Sequence, residues 1–384
     1  METREKRGEN RGRIVVRQLK QVEDYRRGWG NKRHELVDVL FIALCAIMCE
    51  MTDFEDMMVF AQERKEWLRK YVELKNGVPS VSTYARVFRA MRPAALERYY
   101  RSWVKGMKGI EQGQTCIDGK SICGAGAVQK VHMVSAWAHE QGLSLGQIRV
   151  DEKSNEITAI PELLALLDIE GSVITIDAMG CQKEIAKAII KGKGDYVLAV
   201  KDNQPTLAKE VAECFHWTDE ERPEGIQIDQ WKSGYEKDHG RIESRQVRVM
   251  VCPERTGVKS EWTGLASLVE YRCSRQVIGK DKTWSTRYYI SSLTCSAEEM
   301  GRYLRNHWSI ENRLHWMLDV AFHEDESKVR VQNAPENLNV LRKVAMALMR
   351  STPTAKKRSA KGKMFRAALS TSFLEQALFA PPGP

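Results

Sequence analysis

Three acidic side chains, far apart along the chain, are of the type and setting that could do chemistry. Asp177 follows the β-branched run Val173–Ile176, which opens after Gly171 and closes on small residues, the pattern of a short buried strand. In open α/β sheets the C-terminal ends of strands are where ligands collect. A carboxylate beside a buried strand is costly unless a cation, a partner or water meets it. Taken alone, Asp177 reads equally well as the cap of a helix beginning near Gln182. Asp118 lies in Cys116-Ile117-Asp118-Gly119-Lys120, alternating out from apolar Ile117 on a strand of its own, and Gly119 lets backbone and substrate approach closely. Glu311 stands four residues from His307 and four from His315, so the three share a helix face, with Trp308 nearby. A transition-metal site built from these two histidines lacks the HExxH spacing. A glutamate facing the two aspartates, flanked by imidazoles able to touch phosphate, accounts for more of the pattern. Carboxylates held that close repel, so one is protonated or a cation sits between them. Oxygen-only ligands select Mg²⁺ or Mn²⁺ over zinc.

The elements that must position these acids follow from the apolar periodicity. Strands are expected at Gln114–Ile122, His132–His139 and Ser144–Val150, then a helix at Ile157–Leu167 and a strand at Ser172–Ile176. A helix at Gln182–Lys191 and a strand at Asp195–Val200 complete the run. Short turns make the first three strands antiparallel, while the two that follow helices should run parallel to the first. This order is the ribonuclease-H-like one, in which the first and fourth strands are neighbours and Asp118 meets Asp177. The expected fold class is therefore α/β: a ribonuclease-H-like catalytic core with a β-rich insertion, preceded by an all-helical N-terminal domain. Residues 1–107 form a basic arm and helical domain suited to DNA, and 108–204 the first part of the core. Residues 205–291 form the insertion, 292–348 a long helix from Ser296 to Phe322 bearing Glu311 with the helix after it, and 349–384 a basic tail.

Bulk properties narrow the partner. The 384 residues carry a net charge of +9 with pI near 9.0, which favours a polyanion. Eleven Lys or Arg against five acids in residues 1–34 read as a solvated arm or a phosphate-touching one. Arg86, Arg89 and Arg92 share a helix face that is solvated or set against DNA. Arg241, Glu243 and Arg245 share a strand face, as an ion-pair ladder or as phosphate contacts. Lys201, Asn203 and Gln204, just past a strand end, serve turn chemistry before Pro205 or orient a DNA backbone. Nine scattered cysteines without a CxxC pair argue against a zinc ribbon or a secreted disulfide framework, so a reducing cytoplasm is expected. The most apolar run, Leu36–Met51, is short for a membrane span, and no membrane partner is expected.

The chain resembles the DDE transposases of bacterial insertion sequences, specifically the H-repeat-associated group, over nearly its whole length. The resemblance rests on Asp118-Gly119-Lys120, Val134-Ser135-Ala136-Trp137, Glu152 through Ile157 and Thr175 through Lys183. It continues in Asp195 through Lys201 with Asn203-Gln204, His239 through Glu243, Tyr289 through Ser292, and His307 through Asn312 with His315-Trp316. It implies that Asp118, Asp177 and Glu311 are the catalytic acids and hold two Mg²⁺ (or Mn²⁺) ions. The 134 residues from Asp177 to Glu311 look like the β-rich insertion of related transposases. Lys120, Lys201, Asn203, Gln204, His239, Arg241, Arg305, His307 and His315 are expected to contact DNA. Where relatives carry Tyr, Arg and Lys at fixed steps around the glutamate, this chain has Leu304, His307 and Leu318. The implied function is Mg²⁺-dependent DNA strand cleavage followed by 3′-OH strand transfer. Its implied partner is double-stranded DNA, element ends and target, bound by a homo-oligomer at the nucleoid in a bacterial cytoplasm. The alternatives are a transposase-derived protein that grips DNA without cutting and a nuclease without strand transfer.

Overall fold

A computed structural model of the chain describes residues 15–26, 32–106, 113–122, 131–150, 155–221, 225–238, 240–254, 256–277 and 279–379. After a helical stretch at residues 15–19, the described residues form α1 (Leu36–Ile47), α2 (Phe54–Glu63), α3 (Lys65–Leu68), α4 (Val81–Ala90) and α5 (Pro93–Lys105). Every residue of α1 except Val37 is buried, as its near-continuous apolar sequence requires. Asp53 caps α2 by accepting from the Glu55 and Asp56 amides, and Pro93 opens α5, where its missing N–H costs nothing.

Strands β1 (Gln114–Ile122), β2 (Val131–Ala138) and β3 (Leu143–Val150) lead into α6 (Glu156–Leu166), β4 (Val173–Ile176), α7 (Lys183–Lys191) and β5 (Asp195–Val200). The chain continues through α8 (Pro205–Glu221), β6 (Ile228–Lys232), β7 (Glu236–Asp238), β8 (Arg241–Val251), α9 (Gly257–Glu261), β9 (Ser267–Val277) and β10 (Lys282–Ser291). Among the described residues the ten strands join one mixed sheet in the order β3-β2-β1-β4-β5-β10-β9-β8-β6, with β7 also on β8. β1 is antiparallel to β2 and parallel to β4, which is parallel to β5. In the β1–β4 register Ile117 pairs with Ile176, so Asp118 and Asp177 are the next residues on neighbouring strands.

Three expectations change. Residues 205–291 begin with the 17-residue helix α8, and their long strands extend the main sheet, with β10 antiparallel to β5. The helix expected over Ser296–Phe322 is broken: α10 (Ala297–His307) gives way to a π-helical turn over Glu311–His315 and then α11 (Trp316–Val320). A π turn widens the helix, so the four-residue spacing no longer places His307, Glu311 and His315 on one strict face. The basic tail is folded: α12 (Ala334–Ser351) is followed by α13 (Ala360–Leu369) and α14 (Thr371–Phe379), whose Phe373, Leu374, Ala377 and Leu378 are buried.

Among the described residues the core has four parts, the smallest being Ile122, Val131 and Met133. One joins α1–α5 to α12–α14 and includes Trp137 of the sheet together with Ile310 and Leu314, the apolar neighbours of Glu311. A second packs α6, α7 and α8 on one sheet face, and a third packs α10 on the other through Val197, Val247, Val269, Met300 and Leu304. Among the described residues no helix is long and apolar enough to cross a membrane.

Candidate active site

Asp118, Asp177 and Glu311 line a single cleft of about 610 Å³ at the C-terminal ends of β4 and β5. Each reaches it by a different route. Asp118 continues β1 past its last pairing with β4, and Asp177 leaves β4 where its Oδ1 accepts from Met179 N at 3.0 Å. Asp177 does not cap α7, whose N-cap is Gln182; it caps instead a short 3₁₀ turn over Ala178–Gly180 and still lines the cleft. Glu311 is exposed between buried Ile310 and Leu314, and the π turn it opens is of the kind found at functional sites.

The electrostatics are those of acids left facing one another. Burial, then the Asp177 charge, then Glu156 and Glu311 push the Asp118 carboxyl up to about 7. Burial and Glu156 raise Asp177, against the pull of Lys201 and two backbone amides. Among the described residues, no three His, Cys, Asp or Glu side chains converge tightly enough to hold a metal ion as placed. The chemistry of the donor set nevertheless fits a hard divalent cation: carboxylate oxygens only, mutually repelling, in one cleft.

The histidines serve the acids. His307 Nδ1 is 3.0 Å from Thr175 Oγ1, which also accepts from Gln114 Nε2, tying α10 to β4 and β1. Burial pushes His307 down to about 4 and His315, also facing Lys343, Lys120 and His132, down to about 3. Both rings are therefore neutral at pH 7 and lack the charge a phosphate contact would want. His315 Nδ1 lies 3.5 Å from Asp118 Oδ2. Ser309 Oγ meets His139 Nδ1 at 2.8 Å, a further tether on the segment bearing Glu311.

The other expected DNA contacts divide. Lys201 is exposed and lines the cleft. Asn203 donates its amide to Ala178 O and Gln204 to Cys181 O, so both brace the loop after Asp177. Lys120 is nearly buried among Asp319, Asp325 and Glu324, its Nζ at 2.7, 3.1 and 3.5 Å from them. Arg241 pairs with Glu243 at 3.0 Å and Arg245 with Glu243 at 2.6 Å, so the ion-pair ladder is the arrangement found. Arg305 pairs with Glu236 at 2.9 Å. His239 lies outside the described residues. Two residues of the site escaped the sequence reading. Arg287 lines the cleft with its guanidinium 5.5 Å from the Trp308 ring, and Glu156 acts on both aspartates. Glu156 stood in a recognised stretch, but nothing local indicates that α6 returns it to β1.

Comparison with known proteins bears on what this cleft belongs to. Residues 109–349 match the family model described as "Transposase DDE domain", and residues 16–104 match its associated N-terminal model, "DDE_Tnp_1-associated". The "Putative transposase YncI" of Escherichia coli O157:H7 is 40% identical over 358 residues, covering 91% of this chain and 90% of that one. The "H repeat-associated putative transposase YhhI" of Escherichia coli K12 is 37% identical over 366 residues, covering 93% and 95%. Among solved structures, a piggyBac transposase synaptic complex with hairpin DNA aligns with a TM-score of 0.44 at 12% identity, over 96% of this chain and 80% of that one. With the family model spanning well over half of its length, the chain belongs to the transposases that carry the DDE domain.

Proposed function

We propose that this protein cleaves DNA at the ends of a mobile element and joins the freed 3′-OH to target DNA, with Asp118, Asp177 and Glu311 holding two Mg²⁺ or Mn²⁺ ions. The observation that carries this reading is that the three acids line one cleft. The strand order β3-β2-β1-β4-β5, with β4 and β5 parallel to β1, supports a ribonuclease-H-like core. When bound, such an ion pair activates a water for in-line attack and stabilises the leaving oxygen.

The chain's own groups position the rest. Neutral His315 lies beside Asp118, while Asn203 and Gln204 brace the loop that presents Asp177. Lys201 and Arg287 are the cations of the cleft wall and would meet the phosphates flanking the scissile bond. A second cavity of about 260 Å³ in the helical part, lined by Arg26, Lys32, Arg33, His34 and Arg86, offers another seat for the DNA backbone.

The test is incubation of the full chain with a duplex carrying the element's terminal sequence, with and without Mg²⁺, beside Asp177→Asn. Nicking by the parent that requires Mg²⁺, and DNA binding without nicking by the variant, is the expected result. Cleavage that survives in the variant would overturn the assignment. A parent that binds but never nicks would leave the DNA-gripping alternative.

A further inference from the structure

The segment that carries Glu311 is held from outside its own helix. Glu311 opens the π turn, and its carbonyl accepts from Trp316 N, five residues on. Trading that bond for the ordinary four-residue one would turn Glu311 by one residue's share of a helical turn, about 100°, against the chain that follows. Which way the carboxylate points therefore depends on what keeps this turn in its π register.

Both sides of Glu311 are tied to one residue of the sheet. Ser309, two residues before it, meets His139 Nδ1 through its Oγ at 2.8 Å, and Arg313, two residues after it, donates from Nη1 to His139 O at 3.1 Å. His139 directly follows β2, and its backbone N–H donates to Gln114 O on β1 at 2.9 Å. Arg350 of α12 closes the frame: its guanidinium donates to Gly142 O at 2.7 Å and also to Arg313 O, a carbonyl inside the π turn. The Arg313 and Arg350 guanidinia stand 5.8 and 4.9 Å from the centre of the fully buried Trp137 ring. Gly142 is left-handed, with φ of 65°, and a Cβ there would come within 2.6 Å of Arg313 Nη2, so the turn between β2 and β3 is shaped to admit that side chain. These contacts end on Ser309 and Arg313 and act on Glu311 through the backbone between them, while Glu311 itself lines the cleft.

We propose that His139, Arg313 and Arg350 are positioning residues for the third acid: they hold the π turn in register and so keep the Glu311 carboxylate in the cleft. This rests on the reading of Asp118, Asp177 and Glu311 as the acids that hold the cations.

The experiment is a Mn²⁺ titration of the full chain without DNA, following free Mn²⁺ by electron paramagnetic resonance. It compares the parent with Arg313→Ala, Ser309→Ala, Glu311→Gln, Asp177→Asn and the double variant Glu311→Gln/Arg313→Ala. Arg313→Ala should lower Mn²⁺ affinity about tenfold, the scale of losing a group that orients a metal's ligand. By charge alone, removing a guanidinium two residues from Glu311 would favour a cation, so the expected loss has the opposite sign. The double variant should bind no worse than Glu311→Gln, because a residue that acts through Glu311 then has nothing left to position. Parent-like or tighter binding by Arg313→Ala, alongside a loss in Glu311→Gln, would overturn the positioning role alone, as would losses that add in the double variant. Parent-like affinity in Glu311→Gln would overturn the reading beneath it, for Glu311 only if Asp177→Asn loses affinity and for the whole cleft if it does not. If Arg313→Ala melts early, Ser309→Ala, which cuts the other tether, decides by the same comparison per folded molecule.

Discussion

Two acid clusters are anchored on β1 two residues apart, and they are built in opposite ways. Around Lys120, Asp319 and Asp325 share its ammonium with Glu324, which is completely buried. Glu324 also accepts from Arg342 at 3.1 Å and from Asn339 at 2.8 Å. Its charge is met from two sides, and the cluster locks the chain after Glu311 to both β1 and α12. Around Asp118, the neighbouring charges are Asp177, Glu156 and Glu311, and the groups that answer them are His132 on Glu156 and Lys201 near Asp177. Acid density is similar in the two places. What separates a site from a strut is whether basic groups close the balance, because an uncompensated buried carboxylate persists only where something else is meant to meet it.

That contrast can be broken from its functional side first. Asp177→Asn should abolish nicking of an element-end duplex, read on a denaturing gel, while its urea midpoint stays near that of the parent. On the structural side, Arg342→Met leaves Glu324 with a buried charge half met and should cost about 3–5 kcal/mol of stability in urea unfolding, the range for breaking a buried pair. Mn²⁺ affinity of that variant, while folded, should be unchanged. An equal loss of affinity in Arg342→Met would mean that the two clusters are one.

A subtler prediction has the opposite sign. Asp118 is raised from its usual 3.8 to about 7, so between those values the folded chain holds a proton that the unfolded chain has lost. The stability linked to that proton is fully present below pH 4 and is lost as pH rises through 7. Relative to Asp118→Asn, the metal-free parent should therefore melt at progressively lower temperature from pH 5 to pH 8, and Mn²⁺ at pH 8 should close the gap. Parallel melting curves for the two proteins would contradict this. The smallest expected effects are on DNA affinity. Lys201→Ala or Arg287→Ala should reduce the salt dependence of duplex binding by about one counterion in anisotropy titrations, whereas ion-paired Arg241→Ala should change it little.

The acids and the strands beneath them were legible because their pattern is local. Val173–Ile176 is a β-branched run ending in an acid, and Cys116–Lys120 alternates as a strand must. What stayed hidden depends on partners distant in sequence. β10 finds β5 across some 90 residues, which no local pattern announces, so a sheet extension read as a separate insertion. The apolar stripe of α8 (Leu207, Val211, Cys214, Phe215) has helical spacing, but the strand-like texture that follows masked it. Nothing local in His323 through Glu326 marks Glu324 as a buried hub, because Lys120 and Arg342 reach it from other elements. Spacing placed His307 and His315 near Glu311, but whether an imidazole is a cation or a neutral prop follows from burial, which spacing does not encode.

The most direct measurement is a crystal of the full chain soaked in Mn²⁺ and examined by anomalous scattering at the manganese edge. Manganese peaks in the cleft within ligand distance of Asp118 and Asp177, with Glu311 drawn toward one of them, are what this account predicts. Manganese bound only at the Asp319–Asp325 cluster, or absent from the cleft at millimolar concentration, would contradict it.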